Sequence, residues 1–185
     1  NIKDVCHLGK RHEVPIYMDG ARVFNASVAM GVDVKEIVED VDAVMFALTK
    51  GLSAPFGAML VGNKEFIKKA RWLKQRIGGG YRQAGFIAAP GIVGLKTMLP
   101  QIARDNENAS LLGRLLSSIE NLVIDTSRIH TNIVTCSTEL LPITIESFIT
   151  NLLEKGIKVK KISETSFRMI PHYGIEKEHI EYVAD

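Results

Sequence analysis

Continuous apolar runs alternate with segments of helical spacing along residues 1–100 of this chain. Three of the apolar runs predict strands of a mostly parallel sheet, and the continuous run at 43–48 is typical of a strand that helices cover on both faces. These runs lie at 14–18, 43–48 and 57–62. Between them, 24–30 and 34–38 have the spacing of short helices. The opening residues Ile2, Val5 and Leu8 are spaced as one face of a helix. The pattern therefore predicts an α/β fold.

The pattern continues with longer helices and then changes character. Asn63 is a good helix start, and 64–76 predicts an amphipathic helix that the glycines at 78–80 end. Two further helices are predicted at 83–99 and 101–120. The last third predicts a strand, a helix, a β-hairpin and a final helix, at 132–136, 143–155, 158–162 with 166–170, and 176–185. This order of short elements is typical of a small α+β domain.

Both ends of the chain indicate that more protein belongs to it. The sequence begins at Asn1 without an initiator methionine or a signal peptide, and its last helical pattern ends without a capping residue. We therefore expect a piece of a longer protein. Within it, 1–100 is expected to be the C-terminal part of a large α/β domain. The remaining residues, 101–185, are expected to form a small α+β domain that is incomplete at its end.

The composition limits the kinds of partner that this chain is expected to bind. The chain has 185 residues, of which 46% are hydrophobic and 24% charged, and its formal net charge is +2. A nucleic-acid or membrane-surface protein would carry an excess of clustered basic residues, so neither partner is expected. No apolar stretch is long enough to cross a bilayer. Cys6 and Cys136 lie far apart without a CxxC spacing, which favours two free thiols in the cytoplasm; a disulfide is possible but unsupported.

The ends of the predicted strands carry candidate chemistry. Asp19 and Arg22 follow the first strand, and Lys50 follows the second. In open α/β sheets ligands bind beyond the carboxyl ends of the strands, so these side chains are expected to converge on one rim. Pyridoxal phosphate (PLP) needs a lysine for its aldehyde, a carboxylate beside its ring nitrogen, and an arginine for the ring oxygen or an amino-acid carboxylate. From spacing alone, solvated or salt-bridged side chains are an equally good interpretation.

Three longer motifs connect these residues to a known family. The string MDGARVFNA spans 18–26, TKGLSAPFG spans 49–57, and GGGYRQAG spans 78–85. Together they resemble the threonine aldolases. Shorter segments look like later landmarks of the same family, at 104–109, 131–134 and 167–172. The matches come in the family's order and cover nearly the whole chain.

The resemblance implies a fold-type-I PLP enzyme and gives each candidate residue a role. Lys50 is implied to bind the cofactor aldehyde covalently, Asp19 to hold the pyridine nitrogen, and Arg22 to lie near the ring hydroxyl and the substrate carboxylate. Arg168 is implied to grip that carboxylate from the small domain, with a surface strand charge as the alternative. Arg82 lies in a segment that in the family reaches a neighbouring subunit's cofactor, and helix or interface pairing is the alternative there.

The activity implied by the resemblance is cleavage of L-threonine or L-allo-threonine to glycine and an aldehyde. The resemblance also implies a cytoplasmic homotetramer in threonine catabolism and glycine biosynthesis, without a metal ion, and makes 1–100 part of the PLP-binding large domain. His172 is a candidate for the base by its place, although a small-domain packing or supporting role is the stronger interpretation. Two alternatives remain: a non-catalytic fragment that serves in assembly or interaction, and another fold-type-I PLP enzyme, a β-eliminating lyase or an aminotransferase.

Some features of the family lie outside this chain or differ within it. In the family an N-terminal half supplies the loop that binds the cofactor phosphate and the ring that stacks on the cofactor, and no such loop is recognised here. Thr49, Ser53 and Gln75 stand where family members often have serine, glycine and a basic residue. These changes bear on affinity and subunit contacts rather than on the class. A fragment without part of its sheet is expected to expose apolar strand edges.

Overall fold

The computed structural model describes residues 2–185, which divide between Leu99 and Pro100 into two compact units. Each unit has a three-stranded sheet and its own helices. The assignment of 1–100 to a large PLP-binding domain and of 101–185 to a small domain stays a prediction.

The first unit is built around a sheet whose middle strand is the most buried. Its strands are β1 Tyr17–Asp19, β2 Ala43–Ala47 and β3 Ala58–Gly62, in the order β1-β2-β3. β1 runs parallel to β2, and β3 runs antiparallel to it. Within residues 2–99, five helices accompany the sheet: α1 Ile2–Arg11, α2 Val23–Met30, α3 Val34–Val38, α4 Lys64–Arg76 and α5 Gly85–Thr97. The predicted α/β class is confirmed, and the described part of the sheet is mixed rather than mostly parallel because β3 turns back along β2.

Two helices of this unit begin where the sequence predicts because a side chain caps each of them. The Asp33 carboxylate accepts a hydrogen bond from the Lys35 backbone N–H at 2.8 Å, and the Glu36 carboxylate accepts one from the Asp33 N–H at 3.3 Å. The Asn63 side-chain oxygen accepts from the Phe66 N–H at 2.9 Å. Such caps satisfy backbone donors that lack a partner inside the helix. The bounds predicted for α3 and α4 are confirmed.

Part of the apolar surface of the first unit is exposed. Met59, Leu60 and Val61 of β3 are exposed. No residue of α4 is buried, and Phe66 and Leu73 on its apolar stripe are also exposed. The exposed surface agrees with the expectation for a sheet that lacks some of its strands.

The second unit is a small antiparallel sheet packed against helices. Its elements are α6 Leu99–Leu116, a 3₁₀ turn Thr126–Arg128, β4 Val134–Ser137, α7 Ile145–Glu154, β5 Lys160–Lys161, β6 Ser166–Met169 and α8 Lys177–Ala184. The strand order is β4-β6-β5, and both pairs are antiparallel. The predicted hairpin is present as β5 and β6, although β5 has only two residues.

Alternate residues of the small sheet point into the core of the second unit. Phe167, Val134 and Cys136 are fully buried and pack with Ile145 of α7 and other apolar side chains. Arg168 lies between Phe167 and Met169 in β6 and therefore belongs to the opposite face.

Burial raises the pKa of the Cys136 thiol to about 12. Cys6 in α1 is also buried, and both cysteines are free, as predicted.

Two further observations concern residues 2–185 as a whole. No single helix among them is long and apolar enough to cross a membrane, and α5 and α6 meet that test only as a bent pair. No group of three or more histidine, cysteine, aspartate or glutamate side chains in this part of the chain is arranged to hold a metal ion.

Candidate active site

Lys50 lies on an exposed turn that follows β2 and is anchored on both sides. Leu48 and Leu52 flank it and are only 3% and 2% exposed, whereas Lys50 itself is exposed. The Ser53 N–H donates to the Lys50 carbonyl at 2.8 Å, and the Ala54 N–H donates to the Leu48 carbonyl at 2.9 Å. Two buried leucines and two backbone hydrogen bonds therefore hold a short loop whose lysine amine remains accessible.

The helix α5 supports this turn from behind. Gly91 and Gly94 are buried on the side of α5 that meets the turn. A methyl group at Gly91 would lie 3.0 Å from a side-chain carbon of Leu48, and one at Gly94 would overlap the carbonyl oxygen of Leu52. Only glycine allows the helix backbone to come so close. The small residues in the sequence of α5 are thus explained by its contact with the Lys50 turn.

Asp19 is the last residue of β1 and lies at the same edge of the sheet as the Lys50 turn. Its register partner is Met45 on the parallel strand β2, and neighbouring strands are about 4.8 Å apart. The Asp19 carboxylate is exposed and accepts a hydrogen bond from the Ala21 N–H at 3.1 Å. Gly20 then turns the chain, and its N–H donates to the Met45 carbonyl at 2.9 Å. A carboxylate and a lysine therefore follow the carboxyl ends of two adjacent parallel strands.

Arg22 and Arg82 are also in the first unit. Arg22 is half-buried and immediately precedes α2, three residues beyond Asp19. Arg82 is exposed in the connection between α4 and α5, next to Tyr81, whose ring packs edge-on against Phe56 with centroids 6.1 Å apart. The predicted roles of both arginines towards a cofactor stay predictions.

Arg168 belongs to the second unit and lies on the central strand of its sheet. It is half-buried between its register partners Thr135 on β4 and Lys160 on β5. Its Nε atom is buried and has no hydrogen-bond partner among residues 2–185. A buried donor without an acceptor costs about 1–3 kcal/mol, so this guanidinium has an unused hydrogen-bonding edge. A carboxylate is the acceptor that fits such a planar group best.

Two asparagines in the later family landmarks have structural partners that the sequence did not reveal. The Asn132 side-chain amide, which is buried, donates to the Pro171 carbonyl at 2.9 Å. The Asn108 amide donates to the Ile175 carbonyl at 2.8 Å. The β4–β6 register ends at Val134 opposite Met169, and Asn132 and Pro171 lie two positions beyond that pair. Pro171 has no N–H and only accepts there. A proline, whose backbone can only accept, is the signal in the sequence that could have suggested a side-chain donor such as Asn132 opposite it.

His172, the candidate base, is exposed and directly follows Pro171. Its Nδ1 lies 2.8 Å from the Tyr173 carbonyl oxygen. Because a carbonyl oxygen only accepts, Nδ1 of the neutral ring carries the proton and Nε2 is the basic nitrogen. Nearby on α6, the buried Asp105 accepts a hydrogen bond from Gln101 at 2.9 Å, and burial raises the pKa of Asp105 despite that bond.

Comparison with known proteins identifies the family of this chain. The model of the beta-eliminating lyase family matches residues 1–139. The chain belongs to the beta-eliminating lyase family. The resemblance to threonine aldolases drawn from the motifs is confirmed as well. Members of the family are PLP-dependent lyases, so the predicted cofactor and enzyme class are confirmed at the level of the family.

Several relatives of this beta-eliminating lyase chain carry aldolase names. It is 38% identical over 183 residues to the Arabidopsis thaliana protein named "Probable low-specificity L-threonine aldolase 2", covering 98% of the chain and 52% of the relative. It is 40% identical over 116 residues to the Escherichia coli "Low specificity L-threonine aldolase", covering 62% of the chain and 34% of the relative. The chain spans about half the length of the Arabidopsis relatives that it matches.

Solved structures show the same fold. A Listeria monocytogenes protein named "putative L-allo-threonine aldolase" aligns with 99% of the chain and 54% of its own, at a TM-score of 0.82 and 18% identity. An Exiguobacterium protein named as an aromatic amino acid beta-eliminating lyase/threonine aldolase aligns with a TM-score of 0.84 and 16% identity, over 99% of the chain and 54% of its own. At these identities the likeness establishes the fold alone.

The residues that the structure describes fit PLP by their chemistry. The first unit offers an accessible lysine on a braced turn and a carboxylate at the end of the neighbouring strand. The second unit offers a guanidinium whose buried Nε has no protein acceptor. These are the amine, the partner for a pyridinium nitrogen and the carboxylate receptor that amino-acid chemistry on PLP requires.

Proposed function

We propose that this chain supplies the lysine-bearing part of a PLP-dependent aldolase that cleaves L-threonine and L-allo-threonine to glycine and an aldehyde. The observation that carries the proposal is the turn that presents Lys50 between the buried Leu48 and Leu52, one strand away from Asp19. The aldolase names of the Arabidopsis and Escherichia coli relatives support this choice over other lyases.

Each residue then has a task that follows from its chemistry. PLP, when bound, acts as an electron sink for the charge left at Cα when a bond to that carbon breaks. Lys50 would provide the amine for the cofactor aldehyde, and the Asp19 carboxylate would favour the protonated form of the ring nitrogen. Arg168 pairs with the amino-acid carboxylate through its planar fork and so orients the substrate.

We also propose that the working protein is a cytoplasmic homo-oligomer. Large apolar side chains of the first unit support burial against further protein, since Trp72, Ile77 and Phe86 are 55%, 83% and 88% exposed. Apolar surface of this extent commonly marks an interface. Sedimentation of the longer protein that contains this chain tests the oligomeric state, and a monomer at all concentrations would contradict it.

The first test asks whether Lys50 is the cofactor lysine. The chain is incubated with PLP, reduced with borohydride, digested and analysed by mass spectrometry for pyridoxyl-lysine. We expect the label on Lys50, its loss in Lys50→Ala, and no loss in Lys64→Ala, which removes an exposed lysine at the start of α4. A label spread over surface lysines with no preference for Lys50 contradicts the assignment.

The second test asks which reaction takes place, in the longer protein with PLP saturating. Cleavage of threonine gives glycine and acetaldehyde, whereas elimination gives a keto acid and ammonia. We expect glycine, and we expect Lys50→Ala to abolish it while the circular dichroism spectrum stays unchanged. Glycine at background level from the wild type would favour the non-catalytic interpretation, and full activity in Lys50→Ala would overturn the role of that lysine.

A further inference from the structure

Two cationic side chains lie opposite each other on the outer face of the small sheet. Lys160 on β5 and Arg168 on β6 are register partners in an antiparallel pair. Residues directly opposite in such a pair project to the same face, with Cβ atoms about 4.5–5.5 Å apart. The next pair along, Lys161 and Phe167, belongs to the other face, where Phe167 is fully buried in the core. Lys160 and Arg168 therefore share the face that is directed away from the core.

The neighbouring lysine shows what is unusual about this pair. Lys161 forms ion pairs with Glu146 and Glu164. Neither Lys160 nor Arg168 forms an ion pair or a side-chain hydrogen bond with any residue in 2–185, and the buried Arg168 Nε is without an acceptor. Like charges directly opposite one another destabilise a sheet. An anion held by both cations would remove that repulsion.

The third strand adds a further donor to the same row. Thr135 on β4 is the other register partner of Arg168, and it is exposed on the outer face. A hydroxyl, a guanidinium and an ammonium thus cross the sheet side by side, without an acidic side chain among them. A carboxylate, with two oxygens that each accept more than one hydrogen bond, matches this row of donors.

We propose that Lys160 is the second cation of a carboxylate-binding subsite whose first cation is Arg168. The ligand class is an α-amino-acid carboxylate, and in this the proposal rests on the proposed function. Arg168 binds the carboxylate in a fixed orientation through its planar fork, and Lys160 adds a mobile point charge from the edge strand. A lysine on an edge strand also discourages pairing between sheet edges, and that role alone predicts no effect on carboxylate binding.

The test observes Arg168 directly and needs neither PLP nor catalytic activity. The 185-residue chain is labelled with nitrogen-15, and the arginine Nε–H resonances are followed by NMR while sodium acetate or glycine is added, with sodium chloride as the ionic-strength control. The Arg168 resonance is identified by its loss in Arg168→Lys, and burial of Nε protects its proton from rapid exchange with water. We expect a saturable shift with acetate and with glycine, and none with chloride.

The variants decide whether Lys160 takes part. Lys160→Met is expected to weaken acetate binding about two- to fivefold, the range for one solvent-exposed ion pair. It should also reduce the dependence of Kd on salt, because one screened charge is lost. Lys160→Arg should restore binding. Lys161→Met makes the same charge change on the opposite face and should leave Kd unchanged.

Two outcomes overturn the proposal. Equal affinity in the wild type and in Lys160→Met shows that the lysine only protects the sheet edge. An Arg168 resonance that does not respond to acetate or glycine shows that there is no carboxylate subsite on this face. A saturable response that depends on Lys160 supports the subsite even if PLP does not label Lys50, so failure of the aldolase proposal is distinguished from failure of this one.

Discussion

Gly94 is the position where a single methyl group tests how the candidate active site is held. The helix α5 approaches the Lys50 turn so closely there that the Cβ of an alanine would overlap the carbonyl oxygen of Leu52. That oxygen belongs to backbone and is fixed beside the buried Leu52 side chain, so it has little freedom to move away. Gly94→Ala must therefore displace the helix, the turn or both.

The expected size of the effect follows from two opposing terms. Alanine is better than glycine inside a helix by about 0.8–1.0 kcal/mol. Overpacking against a neighbour that cannot yield costs about 1–3 kcal/mol. Because the overlapped atom belongs to the backbone, the cost falls in the upper half of that range, about 2–3 kcal/mol. We therefore expect a net loss of roughly 1–2 kcal/mol in the free energy of unfolding, and a fall in Tm of about 2–8 °C for a chain of this size.

Two glycines of the same helix provide matched controls. A methyl group at Gly85 has no atom within 4 Å, so Gly85→Ala should be neutral or slightly stabilising. At Gly91 the nearest atom, 3.0 Å away, is the end of the Leu48 side chain, which can move, so Gly91→Ala should lie between the other two.

The stability of these three variants is measured by urea unfolding, with tryptophan fluorescence as the signal from the first unit. Trp72 is the single tryptophan and lies in α4 of the first unit. We expect Gly94→Ala to lower the unfolding midpoint and to reduce the yield of pyridoxyl label on Lys50. If Gly94→Ala is as stable as Gly85→Ala, the close approach of helix and turn is not what fixes the loop.

Three further predictions concern other positions. Asn132→Ala should cost about 1–3 kcal/mol because it leaves the Pro171 carbonyl unpaired at the end of the small sheet; chemical denaturation checks it, and an unchanged free energy of unfolding would contradict it. Ser53 adopts a φ of 53°, so Ser53→Gly should be tolerated whereas Ser53→Val should lose about 1–2 kcal/mol, and equal urea midpoints for the two variants would refute this. Burial raises the pKa of Asp105, so the folded chain retains that proton to higher pH than the unfolded chain, and stability falls as pH rises from about 3.9 to the raised pKa. Asp105→Asn cannot ionise and should gain stability relative to wild type across that window; parallel pH curves of the two unfolding free energies would argue against this.

Short-range signals made some elements predictable to the residue. α3 and α4 begin directly after Asp33 and Asn63, whose side chains accept hydrogen bonds from backbone N–H groups two or three residues ahead. A cap of this kind involves residues only a few positions apart, so it can be recognised in the sequence. The position of Lys50 shortly after a strand was predictable too, because the apolar run before it forms β2.

Features that depend on distant partners were not predictable. The apolar run 14–18 is strand only at Tyr17–Asp19, because Tyr17 pairs with Ala43, the first residue of its partner strand β2. The antiparallel direction of β3 depends on how the chain returns to β2, which local patterns do not encode. The pairing of Lys160 with Arg168 likewise requires the strand register, so no inspection of either residue alone would have found it.

The rate at which each of the two buried thiols reacts with an alkylating reagent reports how often the segment around it opens. Cys6 lies in the first compact unit and Cys136 in the second, at 1% and 0% exposure. Thiol reagents react with the accessible thiolate, so each cysteine is modified only when the segment around it opens. One alkylation time course, with the two cysteine peptides quantified separately by mass spectrometry, thus yields an opening rate for each unit in a single sample without added probes.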